Sequence, residues 1–465
     1  MTRAALLLGL LALGACDDIT PPIVPPPPPP AGGLTLDQQL RQQLRQWLIV
    51  PIGPMPAESP ALVQLGQALM FDKILSGNRD VSCATCHEPQ LTVGDGIALS
   101  IGTGGTGTGP DRTLGAGRAF VPRNSPTLLN VGLGQNYIFW DGRVSELGFG
   151  GPVGPGGSNG FDTPAGSALP VGLPNLLAAQ AMFPVTNRHE MRGNPGDVDV
   201  FGNPNELAQY ADTQFAQIWY ALMQRLLAIP EYVDMFHAAF PGTPDYALGF
   251  QHAATALAAF QRSAMIRTSS PFDRYLARDD AALTTAAKRG AVLFFGEAQC
   301  GSCHNGPFLG GNGFANVGVP QLGPGTGAAV PLDKGFGETL NNTFYEFAFR
   351  VAPLRNVELT APYMHNGAYA TLEAVIRHYD DVPFAQLNYD VSQLPPELRG
   401  THHGDPATVS AVLQTLDFRV QRPRSFSDTE QSDLLAFLKS LTDPAARDLR
   451  SLAPARVPSG LPISN

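Results

Sequence analysis

Charge is scarce in this chain: only 15% of its 465 residues are Asp, Glu, Lys or Arg, and the balance is a net −10. Such a surface cannot neutralise phosphates, which excludes a nucleic-acid binder. Long apolar runs are missing too. Beyond residue 13 no stretch reaches the roughly 20 apolar residues a membrane-spanning helix needs. Sustained apolar–polar alternation is also absent, which argues against a substantial sheet. Cysteine is sparse, five in the whole chain, so the placement of each carries weight. Glycine (50) and proline (43) are plentiful but stay below the level of low-complexity disorder, and the length predicts a folded, loop-rich protein of two or three domains.

The first fifteen residues read as a secretion signal, because Arg3 is followed by a short apolar run from Ala4 to Leu13. Leu13-Gly14-Ala15-Cys16 resembles the bacterial lipobox, with cleavage before Cys16 and lipidation of its thiol; an ordinary signal peptide with an incidental cysteine is the alternative. Residues 16–34 form a linker with a proline run, Pro25 to Pro30, that stiffens as polyproline II or stays disordered. The expected location is the periplasm, with lipid as the only membrane anchor. Asp17-Asp18 after the lipid cysteine favours the inner membrane.

The other four cysteines stand in Cys83-Ala84-Thr85-Cys86-His87 and Cys300-Gly301-Ser302-Cys303-His304. Both have the C-x-x-C-H form of c-type haem attachment. Two thiols about one helical turn apart add to the two porphyrin vinyl groups, and the next residue, histidine, reaches the iron. A four-cysteine zinc site or redox-active disulfides would use the cysteines but ignore both histidines. The reading is two covalent haems c, with His87 and His304 as proximal ligands.

Internal repetition points to two haem domains. Leu65-Gly66-Gln67-Ala68-Leu69-Met70-Phe71 precedes the first motif and Arg289-Gly290-Ala291-Val292-Leu293-Phe294-Phe295 the second, with glycine and phenylalanine in register. Downstream, residues 122–130 are loosely echoed by Pro353-Leu354-Arg355-Asn356-Val357, and Trp140-Asp141-Gly142 by His365-Asn366-Gly367. The expected fold is mainly α: two cytochrome c-like haem domains in tandem duplication with long Gly/Pro-rich loops. The divisions are 35–275 for the N-terminal haem domain, 276–450 for the C-terminal haem domain and 451–465 for a tail. Apolar spacing predicts helices over 206–240, 246–265 and 429–441, the last opened by Ser427 or Asp428. The glycine-rich stretches 94–117 and 148–172 are too long for simple connectors and are expected to wrap haem edges or a partner.

These motifs, with Phe139-Trp140-Asp141-Gly142-Arg143, the segment from Gln180 to Met191 and the segment from Leu354 to Tyr379, resemble the bacterial dihaem cytochrome c peroxidases and their MauG-type relatives, which oxidise a partner protein. The resemblance covers residues 55–445. It implies that the first haem meets hydrogen peroxide and the second stores or relays an electron. Glu190 then matches the acid–base group, with neighbouring His189 as the rival, and Gln180 the group that hydrogen-bonds peroxide. Trp140 matches an indole lying between the haems. The family's loop histidine, which caps the first iron in many members, is missing: position 103 is threonine and no histidine occurs between His87 and His189. An open peroxide site in the oxidised protein is therefore expected.

For the upper ligand of the second haem the matching position is Tyr379, where methionine is usual; Met364, His378 and His365 compete. A tyrosinate would stabilise ferric iron, as in the MauG pattern. Asn124, Thr360 and Pro362 match a bridging calcium site of oxygen donors. The expected partners are hydrogen peroxide and a small donor protein, a cytochrome c or cupredoxin; some relatives are homodimers. The leading reading is a dihaem peroxidase. The alternatives are a MauG-type oxidase of a partner protein and a non-catalytic dihaem electron-transfer cytochrome. The glycine-rich insertion between Arg143 and Gln180 is long enough to alter access to the peroxide site.

Overall fold

Amphipathic helices too short to stand alone must bury their apolar stripes against one another, and two such packings organise this chain. The computed structural model describes residues 33–146 and 160–463. The leader, Cys16, nearly all of the proline-rich linker and much of the 148–172 stretch lie outside the described residues. From Leu36 onward the chain makes one compact unit.

The helices include α1 (Leu36–Gln46), α2 (Pro60–Phe71), α3 (Leu176–Ala181), α4 (Phe215–Leu227), α5 (Pro230–Ala239), α6 (Phe250–Ala264), α7 (Thr285–Phe295), α8 (Leu372–Asp380) and α9 (Asp428–Lys439), with further short helices such as Pro271–Leu276, Val382–Leu387 and Pro406–Gln414 and many single turns between them. Strands are two or three residues long. β1 (Tyr137–Ile138), β2 (Val144–Glu146) and β3 (Phe161–Asp162) pair antiparallel in that order, and β4 (Phe314–Ala315) pairs with β5 (Phe349–Arg350). The fold is mainly α.

α2 crosses α6 in the first core, and α7 crosses α9 in the second. Both crossings turn on a glycine of the sequence echo. A Cβ on Gly66 would stand 1.9 Å from the Ala256 carbonyl oxygen, and one on Gly290 1.8 Å from that of Asp433. Contact that close requires glycine, which explains why the two helices share it in register. The echo recurs after the motifs: Phe139 and Gly142 both take φ 66°, and Met364 and Gly367 take 74° and 66°. Asn130 and Asn356 each take a left-handed backbone before the turns Val131–Leu133 and Val357–Leu359.

The two cores do not divide the chain at one point. Leu40 and Leu44 of α1 pack with Phe294, Phe295 and Phe437 in the second core. Leu449, Leu452, Val457 and Leu461, at the far end, pack with Leu65, Leu69 and Phe250 in the first. Ser459 hydrogen-bonds Asp72 there (2.6 Å). A leucine stripe states that a helix must be buried but not against what, so these crossings leave no mark in the linear boundaries at 275 and 450. The helix expected over 206–240 is two: Pro230, lacking an N–H, opens α5 after an extended Ile229, and residues 206–214 are turns. The closing helix begins at Asp428 with Ser427 as N-cap, whose hydroxyl accepts from the Glu430 N–H while the Glu430 carboxylate accepts from the Ser427 N–H.

Candidate functional site

Ser82 caps a one-turn helix, Cys83–Cys86, and His87 leaves its end with its N–H donating to the Cys83 carbonyl (3.0 Å). The His87 Nδ1 faces the Val93 carbonyl oxygen at 3.1 Å and the Ser125 hydroxyl at 3.2 Å. The second motif repeats this: the His304 N–H donates to the Cys300 carbonyl (2.9 Å), and its Nδ1 faces the Leu309 carbonyl at 3.0 Å. A proton held at Nδ1 by a carbonyl leaves Nε2 with a free lone pair, the form that binds iron. Burial pushes both histidines down to about 4, so they stay neutral. Burial pushes the Cys83 thiol up to about 12 and Cys86 further. None of the four motif cysteines is in a disulfide. Among the described residues no three His, Cys, Asp or Glu side chains converge as a metal-binding group, so a four-cysteine zinc site is not built.

A cavity of about 800 Å³ opens over the first motif, lined by Cys83, Cys86 and His87 and walled by Met70, Leu129, Phe139 and Leu177. Two thiols, a neutral imidazole and an apolar wall fit a haem. The same cavity gathers Trp140, Gln180 and the adjacent pair His189 and Glu190 from three separate stretches of chain. Gln180 projects from the end of α3, whose start is capped by the Asn175 side chain. Glu190 sits in a single π-type turn, Arg188–Arg192, where the Asn187 side chain accepts the backbone N–H groups of His189 (2.8 Å) and Glu190 (3.2 Å). Such wide turns interrupt regular structure and aim a side chain. Glu190 is half-buried and His189 exposed. Burial pushes the Glu190 carboxyl up to about 7, against the pull of the Arg143 and Arg123 guanidinium groups, with Asp141 adding to the rise. A carboxyl with that proton affinity can both take and give a proton near neutrality.

Arg123, Asp141 and Asp333 make a buried charged chain. Arg123 donates to both Asp333 oxygens (2.7 and 2.9 Å) and to Asp141. Asp141 also accepts from Arg143 (3.0 Å), whose guanidinium lies 3.6 Å over the Phe139 ring. Burial disfavours the Asp141 charge, but Arg123 and then Arg143 hold it well below the usual carboxylate range. Sequence reasoning missed this chain. Arg123, Asp141 and Arg143 stood inside quoted segments, which was a usable signal; Asp333, 210 residues from Arg123, carried none.

Thr103, at the position where the resemblance implies a capping histidine, is buried. Its N–H donates to the Glu190 carbonyl (2.9 Å) and its hydroxyl to Asp80 (2.8 Å). The loop therefore braces the turn that carries Glu190. Trp140 lines the cavity with its indole N–H donating to the Asn124 carbonyl (2.9 Å), and the Asn124 backbone N–H donates to the His365 backbone carbonyl (2.8 Å). Asn124, Thr360 and Pro362 all border this cavity.

Of the rivals at the second motif, Tyr379 is the one whose phenol feels the charges of both its thiols. Burial raises its phenol pKa, Cys303 and Cys300 raise it further, and Arg424 lowers it. The Arg424 guanidinium donates to the carbonyls of Tyr379 (2.8 Å) and Ala298 (2.9 Å), tying the end of α8 to the segment before Cys300. Met364 instead lines the cavity over His87. His378 has both ring nitrogens engaged, Nδ1 with the Tyr369 hydroxyl (2.8 Å) and Nε2 with the Val317 carbonyl (2.7 Å). His365 is buried with its ring stacked 3.4 Å from Phe349.

Residues 60–281 match the family model described as di-haem cytochrome c peroxidase. The chain is 29% identical over 414 residues to the methylamine utilization protein MauG of Methylorubrum extorquens, covering 89% of this chain and 87% of that protein. It is 31% identical over 357 residues to cytochrome-c peroxidase IdrP1 of Denitromonas iodatirespirans, covering 71% and 76% respectively. Among solved structures it is similar to a MauG-like protein associated with microbial copper homeostasis, at a TM-score of 0.56 and 26% identity over 86% of this chain and 95% of that one.

Proposed function

The chain belongs to the dihaem cytochrome c peroxidase family, MauG-type enzymes included, and is an oxidoreductase; on that premise we propose that it reduces hydrogen peroxide to water with electrons from a small redox protein. The observation that carries this reading is Glu190, half-buried and poised near neutrality in the cavity of the first haem motif. Haems c bound at His87 and His304 supply the redox-active iron, one site taking peroxide and the other passing electrons. Glu190 takes a proton from one peroxide oxygen and returns it to the leaving one. Gln180 hydrogen-bonds the peroxide and keeps it over the iron position. Trp140 lies on the electron path toward the first site, held by its bond to Asn124. Tyr379 would hold the second iron, and Asn124, Thr360 and Pro362 would hold a calcium ion that bridges the domains. Exported through its leader, the enzyme works in the periplasm on a lipid tether at Cys16, as a monomer or homodimer.

A second reading has a specific observation behind it. Tyr379 at the second motif favours a MauG-type oxidase that draws its electrons from side chains of a partner protein. A non-catalytic electron carrier has no use for Glu190 in an 800 Å³ cavity. Stopped-flow absorption separates these. The haem-loaded, fully oxidised protein is mixed with hydrogen peroxide and then with a reduced small cytochrome c. Rapid donor oxidation over many turnovers supports the peroxidase. A long-lived oxidised species that ignores the donor supports the protein oxidase, and no reaction with peroxide supports the carrier.

A further inference from the structure

Beyond Tyr379, oxidisable and imidazole rings continue away from the second haem motif in an unbroken series. The His378 ring is 5.3 Å from that of Tyr379, Tyr369 is 4.9 Å from His378, Tyr389 is 5.7 Å from Tyr369, and His402 is 5.2 Å from Tyr389. Tyr369 is buried; Tyr389 and His402 are half-exposed. Packing would explain rings, but phenylalanine would pack as well, and here both hydroxyls are placed. The Tyr369 hydroxyl donates to His378 Nδ1 at 2.8 Å, since His378 Nε2 gives its hydrogen to the Val317 carbonyl. The Tyr389 hydroxyl donates to the Ala368 carbonyl, in the backbone next to Tyr369. A phenol bonded to a neutral imidazole can lose an electron without becoming a radical cation itself, because its proton passes along the hydrogen bond to the imidazole, which carries the positive charge until the phenol is reduced again.

We propose that Tyr369 and Tyr389 form a radical relay that carries oxidising equivalents from the second haem site to the surface beside His402. The proposal rests on the peroxide reading above for its oxidant. In each one-electron step Tyr369 gives an electron to the oxidised haem site at Cys300, Cys303 and His304, and its phenolic proton moves along the existing hydrogen bond to His378. Tyr389 then gives an electron to the Tyr369 radical, which recovers its proton from His378, while the Tyr389 proton leaves to water. The Tyr389 radical takes an electron and a proton from an electron-rich phenol or indole of an outside donor. Two such passages supply the two electrons that one peroxide consumes on its way to two waters.

The test uses the full-length protein with both haems, oxidised either by hydrogen peroxide or by a peracid, whose carboxylate leaves without a proton from Glu190. A nitroso spin trap is present, and peptide mass spectrometry locates the adduct. The expected result is an adduct on Tyr389 that is lost in Tyr389→Phe and also in Tyr369→Phe, with both variants keeping the haem absorption spectrum of the parent. A haem spectrum that responds while Tyr389 stays unlabelled overturns the relay. So does an adduct on Tyr389 that survives Tyr369→Phe. A response to the peracid but not to peroxide overturns the peroxidase reading, and the Tyr389 adduct in the peracid arm still decides the relay.

Discussion

Replacing Glu190 by Gln removes a proton carrier while keeping the shape and the N–H contacts of its turn. The structure sets the size and the pH signature of the loss. Burial puts the Glu190 carboxyl at about 7. As the base toward peroxide it must be ionised, so activity is present above that value and is lost as pH falls through it. The ionised share rises from about one tenth at pH 6 to about nine tenths at pH 8, so the second-order rate constant for peroxide should rise about tenfold across that window. Glu190→Gln should flatten this rise and slow the reaction by about 10²–10⁴-fold, the usual worth of a positioned acid–base group. Arg143→Leu, which removes the guanidinium opposing the rise, should move the inflection upward by about one unit or more. The assay is stopped-flow absorption of the oxidised protein with peroxide from pH 5 to 9, salt held constant. A Glu190→Gln protein that keeps both rate and inflection would refute the assignment; if His189→Gln then flattens the profile, the exposed neighbour is the acid–base group.

Tyr379→Phe should change the absorption spectrum of the second haem alone, and Met364→Leu should leave that spectrum unchanged; the reverse pattern would assign the ligand to Met364. With Thr103 braced against Asp80 and the Glu190 turn, the fully oxidised protein should bind cyanide at one haem without prior reduction. Two low-spin, six-coordinate ferric haems in the oxidised sample would contradict that. Gly290→Ala should force α7 from α9 and disturb the second haem's spectrum while sparing the first, and Gly66→Ala should do the converse. Equal disturbance of both haems by either variant would mean that the two crossings are not independent supports.

The two C-x-x-C-H motifs were legible in the sequence because the chemistry they imply is local. Two thiols and a histidine at C-x-x-C-H spacing act within one turn, and the carbonyls that orient His87 and His304 lie six and five residues on. The place of Gln180 and Glu190 on the cavity wall was legible only through a family pattern, since nothing in a lone carboxylate separates a surface charge from a cavity wall. The helix expected over 206–240 failed at Pro230, a break that the apolar spacing masked. The echo between residues 122–130 and 353–357 was visible, but its register, Asn130 on Asn356, emerged from two left-handed backbones.

By itself the sequence determined two C-x-x-C-H motifs, a mostly helical fold and the absence of histidine between His87 and His189, because each follows from residue type at short spacing. Tertiary structure decided the rest. It lodged α1 in the second core and the end of the chain in the first, since burial asks only for an apolar partner and not for a near one. It brought Asp333 to Arg123, and Glu190 to a proton affinity near 7, because a carboxyl's pKa depends on the solvent and charges around it. It separated Tyr379 from Met364 and lined up Tyr369, Tyr389 and His402, which only the folding of distant segments could do.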